Sequence, residues 1–216
     1  MNSLLLFSLI VCSLSFNLRS TKQIYDSYVM AVQWANGYCT ANDCKGRDAV
    51  IPKNTLTIHG LWPTLKSGVY LDDCTTGIKI IETNSSLFEN MRIYWPSFSG
   101  ENNVFWEHEY NKHGYCMLEE FNWDNYTNYF QHVMELHLKS YKSLMTSAFP
   151  GKTGNISVTY YEMKTAIRNV IPNATFNMKC SKGNIYEFYF YLEKDYFPST
   201  SHRFNNSCTW GTLILK

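Results

Sequence analysis

The hydrophobic pattern of the chain first indicates β-structure. Residues 27–34 (SYVMAVQW) form an apolar run rich in valine and aromatic side chains, and residues 55–63 (TLTIHGLWP) alternate apolar and polar side chains. Both patterns are typical of strands, and we expect Gly60 and Pro63 to end the second one. Residues 185–194 (IYEFYFYLEK) predict a further strand, which is strongly aromatic.

Helical spacing of apolar positions dominates the middle of the chain. Four helices are predicted, over residues 85–95, 104–113, 123–145 and 159–171. Ser86 is the expected N-cap of the first helix and Gly114 the expected C-cap of the second, while Thr159 and Glu162 form a capping-box pattern. Because the strands are grouped and the helices cluster mid-chain, we predict a single α+β domain in which an antiparallel sheet packs against helices.

Composition and charge narrow the class of protein. The chain has 216 residues, of which 45% are hydrophobic, enough for one globular domain with a large core. A formal net charge of +1 argues against a protein that coats nucleic acid, but it allows a local grip on a phosphate. The apolar run at residues 4–11 is too short to span a bilayer, and we predict a signal peptide over residues 1–15 and a mature domain over 16–216. The alternative is a buried N-terminal strand or helix.

Cysteines and glycosylation sequons indicate export. Cys12 falls within the predicted signal peptide, and the six remaining cysteines predict three disulfides, for which 15 pairings exist. No pair has the C-x-x-C spacing of a zinc site. The predicted loops over residues 37–54 and 64–77 contain three of the six cysteines. Five asparagines lie in N-x-[ST] sequons and are candidates for glycosylation: Asn84, Asn125, Asn155, Asn173 and Asn205.

Residues 105–116, FWEHEYNKHGYC, hold the densest group of reactive side chains. His108 and Glu109 match the start of the H-E-x-x-H zinc motif, but the second histidine, His113, comes five positions later instead of four. On a helix the two histidines therefore diverge by about 140°. Lys112 between them would also repel a cation, so the spacing argues against zinc.

The same residues share a helix face in a different combination. Glu109 and His113 are four residues apart, as are His108 and Lys112, so a carboxylate, an ammonium group and two imidazoles meet at one corner. Such a corner suits a phosphate that undergoes displacement, because cations stabilise the added charge and a histidine moves a proton. The alternative is a solvated helical face, on which two histidines among aromatic neighbours are unusual.

Phosphodiester transfer needs a base for the nucleophile and an acid for the leaving group, and hence a second proton-transfer residue. His59 ends the apolar stretch 55–63, next to Gly60, which leaves space, and near Trp62, which offers a stacking surface. A lone strand histidine is more often a core residue, yet this setting makes His59 a candidate for the site. The other three histidines are assigned structural or exposed positions: His132, His137 and His202.

These two segments, TIHGLWP and FWEHEYNKHGYC, closely resemble the two active-site motifs of the ribonuclease T2 family, the secreted acid ribonucleases of the Rh and S types. The resemblance extends from AVQWANGYC, residues 31–39, to near Cys208. It implies a metal-independent endoribonuclease without a cofactor, which cleaves single-stranded RNA and not DNA by transphosphorylation through a 2′,3′-cyclic phosphate. The alternative within the resemblance is a catalytically inactive secreted relative that only binds RNA.

The resemblance also implies a role for each motif residue. His113 would take the proton of the ribose 2′-hydroxyl, and His59 would protonate the departing 5′-oxygen. Glu109 and Lys112 would stabilise the pentacovalent transition state, and His108 would help to bind the phosphate.

Four further residues match positions that contact the bases in the family. Trp62 and Tyr70 would flank the base on the 5′ side, and Phe105 and Gln33 would line the second base pocket. Each also has an ordinary packing explanation. Thr64 stands where some members carry an aspartate that helps to select a purine, which leaves the base preference open.

The remaining expectations concern assembly, location and pH. The disulfide pairs implied by the resemblance are Cys39–Cys44, Cys74–Cys116 and Cys180–Cys208. We expect a monomer without membrane association in its mature form, which is secreted or reaches the lumen of a lysosome or vacuole. Because free histidine titrates near about 6.5, we expect a bell-shaped pH–rate profile in mildly acidic solution.

Overall fold

A six-stranded sheet and the helices packed against it make up the described part of the protein. The computed structural model describes residues 25–42, 44, 54–67, 69, 71–72, 74, 77–83, 85–118, 125–152, 154–200, 207–208 and 212–215. The predicted signal peptide, Tyr70, His202 and the sequons at Asn84 and Asn205 lie outside these residues. The α+β class predicted from the sequence is confirmed.

The strands, numbered along the chain, are β1 Ser27–Trp34, β2 Leu56–Thr64, β3 Ile156–Thr159, β4 Phe176–Ser181, β5 Asn184–Glu193 and β6 Thr212–Leu215. Their order in the sheet is β2-β1-β5-β6-β3, and β4 also pairs with β5. All pairs are antiparallel except for a single parallel contact between β5 and β6. The strands predicted over residues 27–34, 55–63 and 185–194 are therefore confirmed, whereas β3, β4 and β6 were not predicted.

The helices are α1 Ala35–Ala41, α2 Ser86–Tyr94, α3 Asn102–Lys112, α4 Tyr126–Ser140, α5 Leu144–Ala148 and α6 Tyr160–Val170, with a 3₁₀ turn at Gly114–Met117. The capping box of α6 is formed as predicted. Two predicted caps were wrong, because α2 is preceded by Ser85 and α3 ends on His113. The loop predicted over residues 37–54 begins instead within α1.

Strand β1 is buried on both faces of the sheet, which separates two apolar clusters. Its even-numbered residues, such as Met30, join the main core beneath the helices. Its odd-numbered residues Val29 and Ala31 pack with Trp62 and Tyr191 in a smaller cluster on the opposite face. We call this second side the site face. His59 and Glu187, described below, lie in β2 and β5, the two strands that pair with β1.

Strand β2 does not stop at Gly60 or Pro63 as predicted but continues to Thr64. Among the described strands it lies at an edge of the sheet, where proline is tolerated because its missing N–H is not needed by a strand on the outer side. Gly60 pairs with Ala31 and Ile58 with Val32, so His59 is an extra residue without a partner on β1. This β-bulge changes the direction of the strand at a histidine that the sequence assigned to catalysis.

Three disulfides join the pairs implied by the family resemblance: Cys39–Cys44, Cys74–Cys116 and Cys180–Cys208. Of the sequons, Asn125, Asn155 and Asn173 are exposed on the surface. The side-chain oxygen of Asn125 caps α4 by accepting hydrogen bonds from two backbone N–H groups. Within the described ranges, no helix is long and apolar enough to cross a membrane.

Candidate active site

The bulge holds His59 at the rim of a cleft. Since a bulged residue has no partner in the ladder, its carbonyl group needs another donor. The indole of Trp95 supplies that donor at 2.8 Å from the His59 oxygen, and the indole of Trp106 donates in turn to the Trp95 carbonyl at 2.8 Å. Two buried tryptophans therefore fix the backbone that carries the imidazole.

Helix α3 brings the second motif to the same cleft. His113 is the C-cap of the helix and is followed directly by the 3₁₀ turn. Gly114 has no room for a side chain, because a Cβ atom there would lie 2.9 Å from the Tyr110 ring and 3.0 Å from the Tyr129 ring. The Cys74–Cys116 disulfide ties this turn to the segment that follows β2.

A cavity of about 380 Å³ lies between the two motifs. Its lining residues are His59, Trp62, Asp72, His108, Glu109, Lys112, His113 and Tyr189. The fold thus brings the four residues predicted to be catalytic together with His108 and Trp62, although one motif lies in β2 and the other in α3, with α2 between them in the chain. Phe105 and Gln33 do not line the cavity itself.

Two carboxylates surround the His59 ring. Its Nδ1 is hydrogen-bonded to Oε1 of Glu187, and its Nε2 lies 3.5 Å from Oε1 of Glu109. Burial lowers the pKa of His59, but the charges of Glu187 and Glu109 outweigh this effect and raise the pKa to about 9. The ring keeps 27% of its surface exposed, so it is accessible from the cleft. A pKa of about 9 means that it is protonated at neutral pH.

His113 has the opposite environment. It is 6% exposed, and burial, with the added repulsion of Lys112, lowers its pKa to about 3. Its Nδ1 lies 3.1 Å from the Leu71 carbonyl oxygen, which only accepts hydrogen bonds, so Nδ1 carries the proton. In the neutral ring, Nε2 is therefore the atom with a free lone pair.

Glu109 and Trp62 link the two histidines. Oε2 of Glu109 accepts a hydrogen bond of 2.8 Å from the Trp62 indole, and this carboxylate is only 1% exposed. Burial raises the pKa of Glu109, against the opposing charge of His59. The Trp62 ring lies between the imidazoles, with ring centroids 5.0 Å from His59 and 5.2 Å from His113. A Cβ atom on Gly60 would overlap both the carboxylate and the indole, so any other residue there would displace these two side chains.

The residues predicted to contact bases have mixed positions. Trp62 faces the cavity but is only 7% exposed. Phe105 is half-buried, with its ring centroid 5.7 Å from that of His59. Gln33 is buried in β1, in register with Glu187. Thr64 is fully buried and donates a hydrogen bond of 2.8 Å to the Val69 carbonyl.

Sequence reasoning missed three residues of this region: Asp72, Glu187 and Tyr189. Glu187 carried a usable signal, because a carboxylate in the middle of an aromatic strand needs a polar partner. Tyr189 lies two positions further along β5 on the same face and packs against Trp62 at 5.4 Å. Asp72 is exposed in a loop, and nothing in its sequence context marked it.

Comparison with known proteins identifies the family. Residues 25–206 match the model of the ribonuclease T2 family. The chain is 33% identical over 205 residues to ribonuclease Rh of Rhizopus niveus, an alignment covering 86% of this chain and 80% of that protein. It is 25% identical to the crystal structure of the Japanese pear S3-RNase, with a TM-score of 0.70 and coverage of 88% of this chain and 100% of the other. RNase NT in complex with 5′-AMP is similar to the same degree, at 25% identity, a TM-score of 0.70 and coverage of 87% and 97%. The chain therefore belongs to the ribonuclease T2 family, which makes it an endoribonuclease.

Proposed function

We propose that the protein cleaves single-stranded RNA without a metal ion, by transphosphorylation through a 2′,3′-cyclic phosphate, with His113 as the base and His59 as the acid. The observation that carries this proposal is the contrast between the two imidazoles on one cleft. Carboxylates keep His59 protonated, whereas burial keeps His113 neutral. A pair of titratable groups with pKa values driven apart is the arrangement that acid–base catalysis requires.

The first proton transfer is from the ribose 2′-hydroxyl to Nε2 of His113. The 2′-oxygen then forms a bond to phosphorus. The Leu71 carbonyl supports this role, because it holds Nδ1–H and leaves the Nε2 lone pair toward the cleft. A bound phosphodiester carries a negative charge, which favours the protonated form of the nearby imidazole and so strengthens the base.

The second proton transfer is from Nε2 of His59 to the 5′-oxygen as its bond to phosphorus breaks. The separation of 3.5 Å between Nε2 and Glu109 exceeds a normal hydrogen bond, which supports Nε2–H as the proton that is given. His113 then holds a proton and His59 has lost one, and hydrolysis of the cyclic phosphate with the roles reversed restores both rings.

Charge stabilisation falls to Lys112 and His108, both of which line the cavity. The ammonium group of Lys112 stabilises the charge that builds up on the phosphorane oxygens, and His108 helps to bind the phosphate. The contacts of Glu109 with the Trp62 indole and the His59 ring support a role through those two residues, beside the direct stabilisation implied by the family resemblance. RNase NT, one of the similar structures, was crystallised with 5′-AMP, which supports nucleotide binding at such a cleft.

One assay tests the reaction class. The purified protein is incubated in EDTA with an RNA and with a DNA of the same sequence, and the ends of the products are analysed. We expect RNA fragments with 2′,3′-cyclic phosphate ends and intact DNA, because DNA lacks the 2′-hydroxyl nucleophile. Activity abolished by EDTA, equal cleavage of DNA, or RNA binding without cleavage would each refute the proposal.

Variants of the two histidines test their roles. We expect His59→Ala and His113→Ala each to lower kcat/KM by about 10²- to 10⁴-fold, the usual contribution of a proton-transfer group. His132→Gln is the control, because His132 is a half-buried histidine of α4 that packs against Tyr196 and not the cleft. Near-normal turnover of either alanine variant would show that its assigned role is wrong.

We further propose that the protein is exported through the secretory pathway by a signal peptide over residues 1–15. The mature protein is then a monomer that carries glycans on its exposed sequons. Three disulfides support an oxidising compartment. Expression of the full chain in a eukaryotic host tests this, by the N-terminal sequence of the product and by its mass before and after glycan removal. Unglycosylated protein retained in the cytosol would contradict it.

A further inference from the structure

Glu187 is an acidic residue in the aromatic strand β5 and belongs to neither active-site motif. Its side chain is buried, on the same face of the sheet as Tyr189 and Tyr191. Oε1 of Glu187 is hydrogen-bonded to Nδ1 of His59, a residue 128 positions earlier in the chain. The fold therefore places a buried carboxylate at Nδ1 of His59, on the other side of the ring from Glu109.

Other polar groups lie near Glu187, but none of those in the described part of the chain forms a hydrogen bond or an ion pair with its side chain, apart from His59. Gln33 and Lys179 are its register partners on β1 and β4, and the Lys179 ammonium lies over the Tyr189 ring, 5.2 Å from the centroid. Tyr38 of α1 faces Glu187 as well; burial first, and then the Glu187 charge, raise the pKa of its hydroxyl.

Among the described residues, the imidazole of His59 is the one basic group that forms an ion pair with Glu187. Glu109 is a second carboxylate near the same ring, and Lys112 opposes them from α3. A buried carboxylate without a cation or hydrogen-bond donor would be strongly destabilised, so the pair is favoured only while the ring is protonated or donates its Nδ1–H.

We propose that Glu187 is a positioning residue for His59, whose carboxylate orients the imidazole with Nε2 toward the cleft and keeps the ring in its acid form as a buried counter-ion. This inference rests on the proposed function of His59. The proton that reaches the 5′-oxygen comes from Nε2 of His59, and the positive charge beside Glu187 disappears in that step until water returns a proton.

The test compares two substrates with different leaving groups. One is the dinucleotide that the wild-type protein cleaves fastest, whose 5′-nucleoside needs a proton to leave. The other is the 3′-(4-nitrophenyl phosphate) of the same first nucleoside, whose nitrophenolate leaves without an acid. Variants are Glu187→Gln, Glu187→Asp and, as the control, Glu193→Gln, which changes a partly exposed carboxylate of the same strand that pairs with Lys66 at 3.1 Å.

We expect Glu187→Gln to lower kcat/KM on the dinucleotide by about 10- to 100-fold, a part of what a positioned acid supplies, and to leave the nitrophenyl ester nearly unaffected. The alkaline limb of the pH profile should move down by about one unit or more, because a nearby carboxylate shifts a histidine by that amount. Glu187→Asp should restore part of the activity, and Glu193→Gln should match the wild type.

Equal losses on both substrates, with an unmoved alkaline limb, would overturn the inference and reduce Glu187 to a structural role. A separate readout is the titration of the His59 ring by ¹⁵N NMR, which needs no activity. The wild-type ring should remain protonated well above pH 7, and the Glu187→Gln ring should not. An ordinary titration near about 6.5 in the wild type would overturn the inference even if the variant does not fold. If the wild type fails to cleave RNA, the proposed function fails, while the NMR comparison still decides whether the pair holds the proton.

Discussion

His137 is a histidine buried far from solvent, and it makes the stability of the protein dependent on pH. It lies on α4 with no exposed surface, and its ring centroid is 6.0 Å from that of Tyr94. Burial and the nearby Lys142 ammonium lower the pKa of His137 to about 3, against a smaller opposing effect of the Leu56 backbone. The folded protein therefore keeps this ring neutral under conditions in which the unfolded chain protonates it.

The size of the effect follows from the two pKa values. The folded value of about 3 lies below the ordinary value of 6.5, so the contribution of His137 is complete above about pH 6.5 and decreases as the pH falls toward 3. At about pH 5 the unfolded state has bound nearly one extra proton over about 1.5 pH units. At 1.36 kcal/mol per unit, this removes about 2 kcal/mol of the free energy of unfolding relative to pH 8.

The perturbation is His137→Leu, which keeps a similar volume and removes the titrating group. Urea unfolding of the disulfide-intact protein is measured at about pH 8 and pH 5, for the wild type and the variant. Because any packing difference is independent of pH, the difference between the two proteins should change by about 2 kcal/mol in favour of the variant on going to pH 5.

A half-buried histidine of the same helix provides the comparison. His132→Gln should recover less, since Glu135 opposes the lowering of the His132 pKa that burial causes. The lowered pKa of His137 is refuted if His137→Leu loses as much stability between the two pH values as the wild type does. A ring NMR signal of His137 that titrates near 6.5 would refute it independently.

Three further results are expected. Gly60→Ala should fold but lose about 100-fold in kcat/KM on RNA, because the added methyl displaces the buried carboxylate and indole beneath it, and wild-type turnover would contradict this. Thr159→Ala should lower the free energy of unfolding by about 1 kcal/mol through loss of a helix cap, with RNA cleavage unchanged; unaltered urea unfolding would show that the cap is unimportant. The kcat/KM–pH profile should be a broad bell, since the pKa values of the two site histidines are about 9 and about 3, and a narrow bell with both limbs near 6.5 would contradict those environments.

The elements that were predicted correctly are those whose pattern lies within their own segment of the sequence. The apolar run of β1, the aromatic run of β5 and the capping box of α6 were all visible in the sequence. Helix α1 was missed because its position depends on a close contact with β5 and not on a periodic apolar pattern of its own. A Cβ atom on Gly37 would collide with the Ile185 carbonyl of β5. Pro63 misled the prediction of where β2 ends, because a sequence does not say which strand lies at an edge.

The residues of the site likewise fall into those that a short sequence motif predicts and those that depend on the pairing of distant strands. Both candidate active-site motifs were recognisable, since each is a short run of residues whose spacing is fixed by one strand or one helix. Glu187 was not, because its relation to His59 depends on β5 lying beside β1 and on the bulge in β2. The pKa values of the two histidines also depend on the assembled fold, since burial lowers that of His113, whereas two carboxylates outweigh burial and raise that of His59.

The bulge at His59 sets the phase of strand β2. Before it, Leu56 and Ile58 face the main core; after it, Leu61 faces that core and Trp62 faces the opposite side. A strand that alternated without interruption would exchange the last two. Closing the bulge with every residue kept would therefore turn the indole inward and a leucine toward the cleft, whereas deleting the one extra residue would restore regular alternation and leave both side chains on their present sides. The one extra residue thus sets which of the two alternating series of β2 faces the core, and a single insertion or deletion in β2 away from the bulge would exchange the faces of the residues beyond it.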